Sequence, residues 1–176
     1  MDNPTLEMLK SRRSIRKYKP EQIAEHELHA VLDAGTYAAT GRGKQDPWIV
    51  AVQNPELVAQ LSAMNRAVWG RDIDPFYGAP TIVLVFASHP DTCPTAVCDG
   101  ALVLGNMMLA AHAIGLGSCW INREREMFAT PEGIGLMQRF GLPAGLIGIG
   151  ALALGYPAEP PRPAAPRKSD YYRVIL

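Results

Sequence analysis

The stretch "PTAVCDGALVLGNMMLAAHAIGLGSCWI", residues 94–121, decides the fold. Its first twenty-one residues, 94–114, hold no proline after Pro94 and read as the longest helix of the chain, with Pro94 at the start and Gly115 and Gly117 at the stop. The helix is apolar nearly all round: Val97, Leu102, Val103, Leu104, Met107, Met108, Leu109 and Ile114 leave no polar stripe. Such a helix is either central to the core or shared with a second subunit. "GSCWI", residues 117–121, then reads as a strand that follows without a long connection.

Working outward, "TIVLVFAS" at 81–88 is apolar on both faces, as in a buried central strand. "WIVAVQ" at 48–53 is a second strand. Asn3-Pro4, Asn54-Pro55 and Thr130-Pro131 pair a capping side chain with a proline at the first helical position. They predict helices over about 4–12, 55–66 and 131–140. Ile23, Leu28, Val31, Leu32 and Ala34 recur at helical spacing and predict another over roughly 22–39. "LIGIGALALG" at 146–155 is a strand thinned by glycine, where something approaches its backbone. From 157 to 166 half the residues are proline, so the chain there runs extended, and it ends in the apolar "DYYRVIL". The order is two helices, then strands mixed with helices, then an arm. That is an α+β or mixed α/β plan, with a domain over 1–156 and an extended arm over 157–176 that suits wrapping a partner subunit. Neither GxGxxG after a strand nor GxxxxGK[ST] occurs, so dinucleotide-fold and P-loop readings lack support.

The 176 residues carry 17 basic and 17 acidic side chains, and 48% are hydrophobic. A real core is expected, and zero net charge argues against general nucleic-acid binding. Apolar runs are interrupted before the roughly 18 residues that a membrane span needs. "MDNPTLEML" shows no signal peptide. Cys93, Cys98 and Cys119 have no CxxC spacing and read as reduced thiols, hence a cytoplasmic protein. The four histidines have no metal-ligand spacing, and no metal site is expected.

Against that neutral background, "KSRRSIRKYKP" at 10–20 concentrates Lys10, Arg12, Arg13, Arg16, Lys17 and Lys19. The run is either a phosphate site, with Arg forks and the Ser14 hydroxyl and amide as donors, or the solvated basic end of a helix. Arg162, Arg167 and Lys168 form a second basic group, open to the same two readings. If both groups met one phosphate, the neutral total would make sense.

"TGRGKQDPW" at 40–48 sets two glycines one residue apart, which allows close backbone approach to a flat ligand, while Gln45 suits the edge of a heterocycle. A mobile surface loop is the alternative. In "GLGSCWINRE", 115–124, Trp120 stands at a strand end either as a ligand contact or as core. Asp99, Asn106 and His112 on the long helix read as satisfied polar groups, and Cys98 and Cys119 as small buried hydrophobes. Asn65, in "SAMNRAV", reads as solvated, with a side chain turned toward a bound ligand as the other reading.

Taken in order, "RRSIR", "TGRGKQ" before a strand, "GAP" before the next, "GLGSCWI" after the apolar helix and "LGYP…PRK" near the end resemble the flavin-dependent nitroreductase family. The resemblance spans nearly the whole chain. It implies an α+β fold with a central, mostly antiparallel sheet flanked by helices, and an obligate homodimer whose C-terminal arms are exchanged. It implies FMN bound without a covalent link at the subunit interface. Arg12, Arg13, Ser14 and Arg16 would hold the phosphate and ribityl chain, and Arg167 and Lys168 would close on the phosphate. Ala39, Thr40, Gly41 and Gln45 of the other subunit would line the flavin, and Trp120, Ile121 and Asn122 would cover its ring. The loop departs from the common family form: Gly43 stands where many members have Asn, and Asp46 intervenes between Gln45 and Pro47.

The implied reaction takes a hydride from NADH or NADPH and passes electrons, by a ping-pong scheme, to a small-molecule acceptor such as a nitroaromatic or quinone. The chemistry resides on the FMN, so no side chain is expected to be catalytic in its own right. Reductive dehalogenation or ring reduction on the same scaffold, or flavin binding without turnover, are the other readings.

Overall fold

The computed structural model describes residues 2–176. Asn3 accepts hydrogen bonds from the amides of Thr5 and Leu6 and opens α1, Pro4–Ser11. The same device recurs twice: Asn54 caps α3, Pro55–Trp69, through the Leu57 amide, and Thr130 caps α6, Pro131–Arg139, through the Gly133 amide. Each places proline where its missing N–H costs nothing. The helix α2, Glu25–Thr36, is shorter than its hydrophobic spacing suggests, because Ala24 is already extended and the chain leaves the helix at Tyr37. The long apolar helix α4 runs from Ala96 to Ala113, starting after Thr95 rather than at Pro94. By length and mean hydropathy (18 residues, 1.3) it would pass for a membrane span, yet it packs across the sheet and buries Asp99 in its first turn.

Four strands, β1 Trp48–Val52, β2 Thr81–Ser88, β3 Gly117–Ile121 and β4 Leu146–Gly155, form one sheet in the order β1-β2-β4-β3. Every neighbouring pair is antiparallel. Registers are Trp48 with Phe86, Thr81 with Leu154 and Gly117 with Gly155, with an irregularity between Val85 and Phe86. Strand alternation divides the core in two. Ile82, Leu84 and Phe86 of β2 face Leu61 of α3, Leu136 of α6 and Phe128, which precedes α6. Val83 and Val85 face Val31 of α2 and Val103, Leu104 and Met107 of α4. Both faces of β2 are therefore covered, and that accounts for its unbroken apolar sequence.

The α+β plan with an antiparallel sheet matches the expectation, and each expected strand and long helix forms. A four-residue helix, α5 Glu124–Met127, was not legible. It sits on β4, where a Cβ at Gly148 would lie 2.4 Å from the Glu124 carbonyl oxygen. A Cβ at Gly150 would likewise meet the Trp120 indole at 2.9 Å. The protein's own α5 and Trp120 are what approach the β4 backbone at Gly148 and Gly150.

After β4 the chain lies beside residues 17–19, joined by Lys19 N–H to Tyr156 O at 2.9 Å and Ala158 N–H to Lys17 O at 3.0 Å. From 159 onward every residue is exposed and no regular element forms.

Candidate functional site

Ser14 bridges to Ser118 of β3, and the Ile15 amide donates to the Ser118 carbonyl at 3.0 Å. The Tyr18 hydroxyl lies 2.8 Å from the Ile15 carbonyl and 3.0 Å from that of Ala153. These contacts press the 12–19 segment onto the sheet edge, while the backbone bonds of Lys17 and Lys19 hold the departing arm against it. A cavity of about 590 Å³ opens between the two segments. Six cations line it, Arg12, Arg13, Arg16, Lys17, Arg162 and Arg167, against one acid, Glu159. That acid pairs with Lys17 at 3.1 Å.

Two donors in this group are buried and have no acceptor: Arg12 Nη1 and Arg13 Nε. Arg13 Nη1 is otherwise engaged, donating to the carbonyls of Lys10 and Arg12 at 2.7 Å each. A buried charged donor left unmatched costs free energy on the order of 1–3 kcal/mol or more. An anion with several acceptor oxygens would remove that cost, and a phosphate has the charge and the geometry for the Arg forks. The two basic ends of the chain thus meet at one place, as the neutral net charge suggested. Ser14 lines the same cavity. Lys168 does not: its ammonium stands 5.2 Å above the Tyr171 ring. Lys17 also lines the cavity, and Lys10 pairs with Glu7 on α1. Beneath this segment, burial raises the Cys119 thiol above its ordinary value, with Arg16 opposing in part.

The glycine loop is held elsewhere. The Gly41 amide donates to both carboxylate oxygens of Asp99, each at 3.1 Å, and Thr95 Oγ1 donates to the same carboxylate at 3.0 Å. A side chain at 41 would collide with Thr95, its Cβ only 2.3 Å from Oγ1. Thr40 Oγ1 accepts from the Gln45 amide at 3.0 Å. Asp46, the unexpected insertion, binds the Ser88 amide at 2.9 Å and accepts from the Ser88 hydroxyl at 2.6 Å, closing the loop onto the end of β2. Ala39 and Gln45 are exposed, and Gln45 adopts φ of 52°. Among the described residues, 39–45 do not line the arginine cavity of their own chain.

The third expected group splits. Trp120 faces α4, packed on Leu104 and Gly150, with its indole nitrogen buried and unpartnered. Ile121 faces the opposite core, and Asn122 beyond the strand is exposed. Asp99 and Asn106 are satisfied within the chain, Asn106 donating to Ala34 O at 3.2 Å, while His112 Nε2 lies 2.8 Å from Ser11 Oγ. Cys119 is buried as expected, but Cys98 is exposed, since it lies on the outward face of α4.

Sequence reasoning also misplaced Asn65. It is fully buried, because α3 turns it toward the end of β3. Its Nδ2 donates to Asn122 O at 2.9 Å, and its Oδ1 accepts from Arg123 Nε at 2.8 Å. Arg123 holds a left-handed backbone (φ 87°) and places its guanidinium 4.5 Å above the Trp69 ring. Glu124 is 1% exposed, and burial pushes its carboxyl up to about 8. No sequence pattern marks this cluster; only the strained backbone at Arg123 gives it away, and that is invisible without coordinates.

The described family model for the nitroreductase family matches residues 9–75 and 72–156. The chain belongs to the nitroreductase family. Its fold superimposes on a crystal structure of a nitroreductase with bound FMN from Bacteroides fragilis at a TM-score of 0.90 and 30% identity, over 99% of this chain and 100% of that one. A second FMN-bound nitroreductase structure, from Desulfitobacterium hafniense, gives 0.88 and 25% over the same shares. A protein of Methanothermobacter thermautotrophicus, provisionally named NADH dehydrogenase/NAD(P)H nitroreductase, is 29% identical over 89% of this chain and 78% of its own. The nitroreductase fold thus extends through the arm as well as the sheet.

Proposed function

We propose that this nitroreductase-family protein is an FMN-dependent NAD(P)H oxidoreductase that passes electrons to small electron-poor acceptors such as nitroaromatics and quinones. The observation that carries the reading is the pair of buried, unpartnered guanidinium nitrogens of Arg12 and Arg13 in a cavity lined by six cations. Those groups fit the phosphate of FMN. When bound, FMN supplies the hydride and electron chemistry, for which side chains alone have no equivalent.

The residues of the chain bind, orient and shield. Arg12, Arg13, Ser14, Arg16 and Arg167 hold the phosphate end, and Arg162 adds to them from the arm. Lys168 contributes charge at longer range. Asn122, at the exposed end of β3, meets the ring edge. The loop of Ala39, Thr40, Gly41 and Gln45 is separated from the cavity of its own chain, and we assign it to the cavity of a partner copy.

A homodimer follows from the same reading. Val97 and Leu102 of α4, Leu6 and Leu9 of α1, Tyr37 and Trp48 are all exposed in the single chain. So are Val174 and Ile175 of the arm, at 69% and 91%. Residues 1–156 form the FMN-binding domain, and 157–176 wrap the partner subunit. Free thiols at Cys93, Cys98 and Cys119 accord with the cytoplasm.

Anaerobic reduction tests the function. The purified protein, loaded with FMN, should bleach on addition of NADH or NADPH and regain its colour with a nitroaromatic or quinone. A protein that takes up no FMN, or one whose FMN neither dinucleotide reduces, would overturn the proposal.

A further inference from the structure

The buried cluster behind β3 has no part in holding a phosphate, yet it fixes the backbone that the cofactor ring would meet. Asn65 is its hub. One side of the carboxamide holds the Asn122 carbonyl at 2.9 Å, and the other accepts from Arg123 at 2.8 Å. The Arg123 guanidinium cannot turn freely, since it also covers Trp69. Its residue keeps a left-handed backbone, which for a side chain of this size persists only where surrounding contacts enforce it. Glu124 completes the cluster, with Oε1 at 3.5 Å from Asn65 Nδ2 and Oε2 buried without any partner.

Resting on the cofactor assignment above, we propose that Arg123 and Glu124 are positioning residues of the FMN site: through Asn65 they set the turn at 122–124, and the turn keeps its binding shape only while the Glu124 carboxyl carries its proton.

The surroundings of Glu124 leave an ionised carboxylate unmatched. Arg123 is committed to Asn65 and Trp69, and Arg66 on α3 to Asp72 at 2.8 Å. Glu126 opposes a second negative charge, and β4, against which α5 packs, has no ionisable side chain. Arg125 and Glu132 are exposed to solvent. A buried carboxylate whose Oε1 meets only Asn65 at 3.5 Å and whose Oε2 has no partner is costly, and Arg123 offsets that cost only in part, so loss of the proton to bulk water favours a rearrangement. Either Glu124 swings outward, or Arg123 leaves Asn65 to pair with it. Either movement takes from Asn65 one of the partners that fix its carboxamide, Glu124 at Nδ2 or Arg123 at Oδ1, and so loosens its hold on the Asn122 carbonyl and the turn.

The test is the dissociation constant of FMN from apo-protein between pH 7 and 9.5, followed by flavin fluorescence. The second ionisation of the phosphate lies near pH 6, so it is complete throughout this range. Wild-type protein should bind about tenfold more weakly at pH 9 than at pH 7, the linkage expected of a required proton with a value near 8. Glu124→Gln should bind with no such fall, and Arg123→Lys should bind more weakly at every pH with the fall retained. Infrared titration of the wild type should show a protonated carboxyl band lost through the same range. A flat wild-type profile, or an equal fall in Glu124→Gln, overturns the proposal while leaving the cofactor assignment intact. Absence of FMN binding at any pH overturns the cofactor assignment itself. Should Glu124→Gln fail to fold, the wild-type profile and the infrared band decide between the two outcomes.

Discussion

Arg12 and Arg167 come from opposite ends of the chain and line the same cavity. The contact depends on the arm being laid against residues 17–19 by the backbone bonds of Lys17 and Lys19. If a phosphate joins them, each Arg supplies a charge-assisted hydrogen bond. Replacing either by Ala should weaken FMN binding by about 1–3 kcal/mol, the range for a bond to a charged group. Titration of apo-protein measures the effect, and unchanged affinity in both variants would reject the phosphate site. Lys168→Ala, by contrast, should cost well under the loss seen at Arg167, since its ammonium lies over Tyr171.

Removing residues 159–176 tests the arm separately. The truncation deletes Arg162 and Arg167 and strips the exposed apolar tail of Val174 and Ile175, but leaves the backbone ladder between Lys17 and Ala158. Light scattering should show loss of the dimer or aggregation through the uncovered apolar face of α4. A soluble monomer that binds FMN as tightly as the full chain would contradict the wrapping role.

Much of this was legible in the sequence, and the parts that were not have physical causes. Asn3-Pro4, Asn54-Pro55 and Thr130-Pro131 located three helix starts because a cap and a proline act within one turn. "TIVLVFAS" announced a doubly covered strand because both faces of β2 need apolar side chains. The two basic clusters left a phosphate site and a solvated surface both open, and only the fold shows that Arg12 and Arg167 line one cavity. Asn65 and Glu124 were misjudged or missed because burial of a polar residue depends on what the rest of the fold brings to it. Lys168 was assigned with Arg167 because a sequence pair gives no direction, whereas the fold turns the Lys168 ammonium onto the Tyr171 ring.

Asp99 carries the glycine loop, and its loss should be felt in two readouts. Asp99→Ala leaves the Gly41 amide and the Thr95 hydroxyl without their acceptor. An unmet partly buried donor costs about 1–3 kcal/mol, so the melting temperature should fall by several degrees. Because the loop is assigned to the partner's cavity, FMN affinity should fall as well, even though Asp99 is remote from the arginines in its own chain. A stability loss with unchanged FMN affinity would leave Asp99 as a fold residue and remove the loop from the site.

Glu124 makes a stability prediction that needs no cofactor. Its carboxyl is raised from 4.5 to about 8 in the folded protein, the chief cause being burial. A raised value means that the folded state retains a proton which the unfolded state releases. Below about pH 4.5 both states are protonated and the group has no pH-dependent effect. Between 4.5 and about 8 the unfolded carboxyl ionises while the folded one does not, so stability falls as pH rises. Above 8 both are ionised and the loss stays constant. At about 1.4 kcal/mol per unit, the ceiling is on the order of 4–5 kcal/mol, less any relaxation that lets water reach the group. Glu124→Gln removes the titration while keeping the shape. Urea unfolding of apo-protein should therefore show the variant gaining on the wild type steadily from pH 5 to pH 8. A stability difference between the two that stays constant across that range would mean that Glu124 ionises at its ordinary value and that its burial is not maintained in solution.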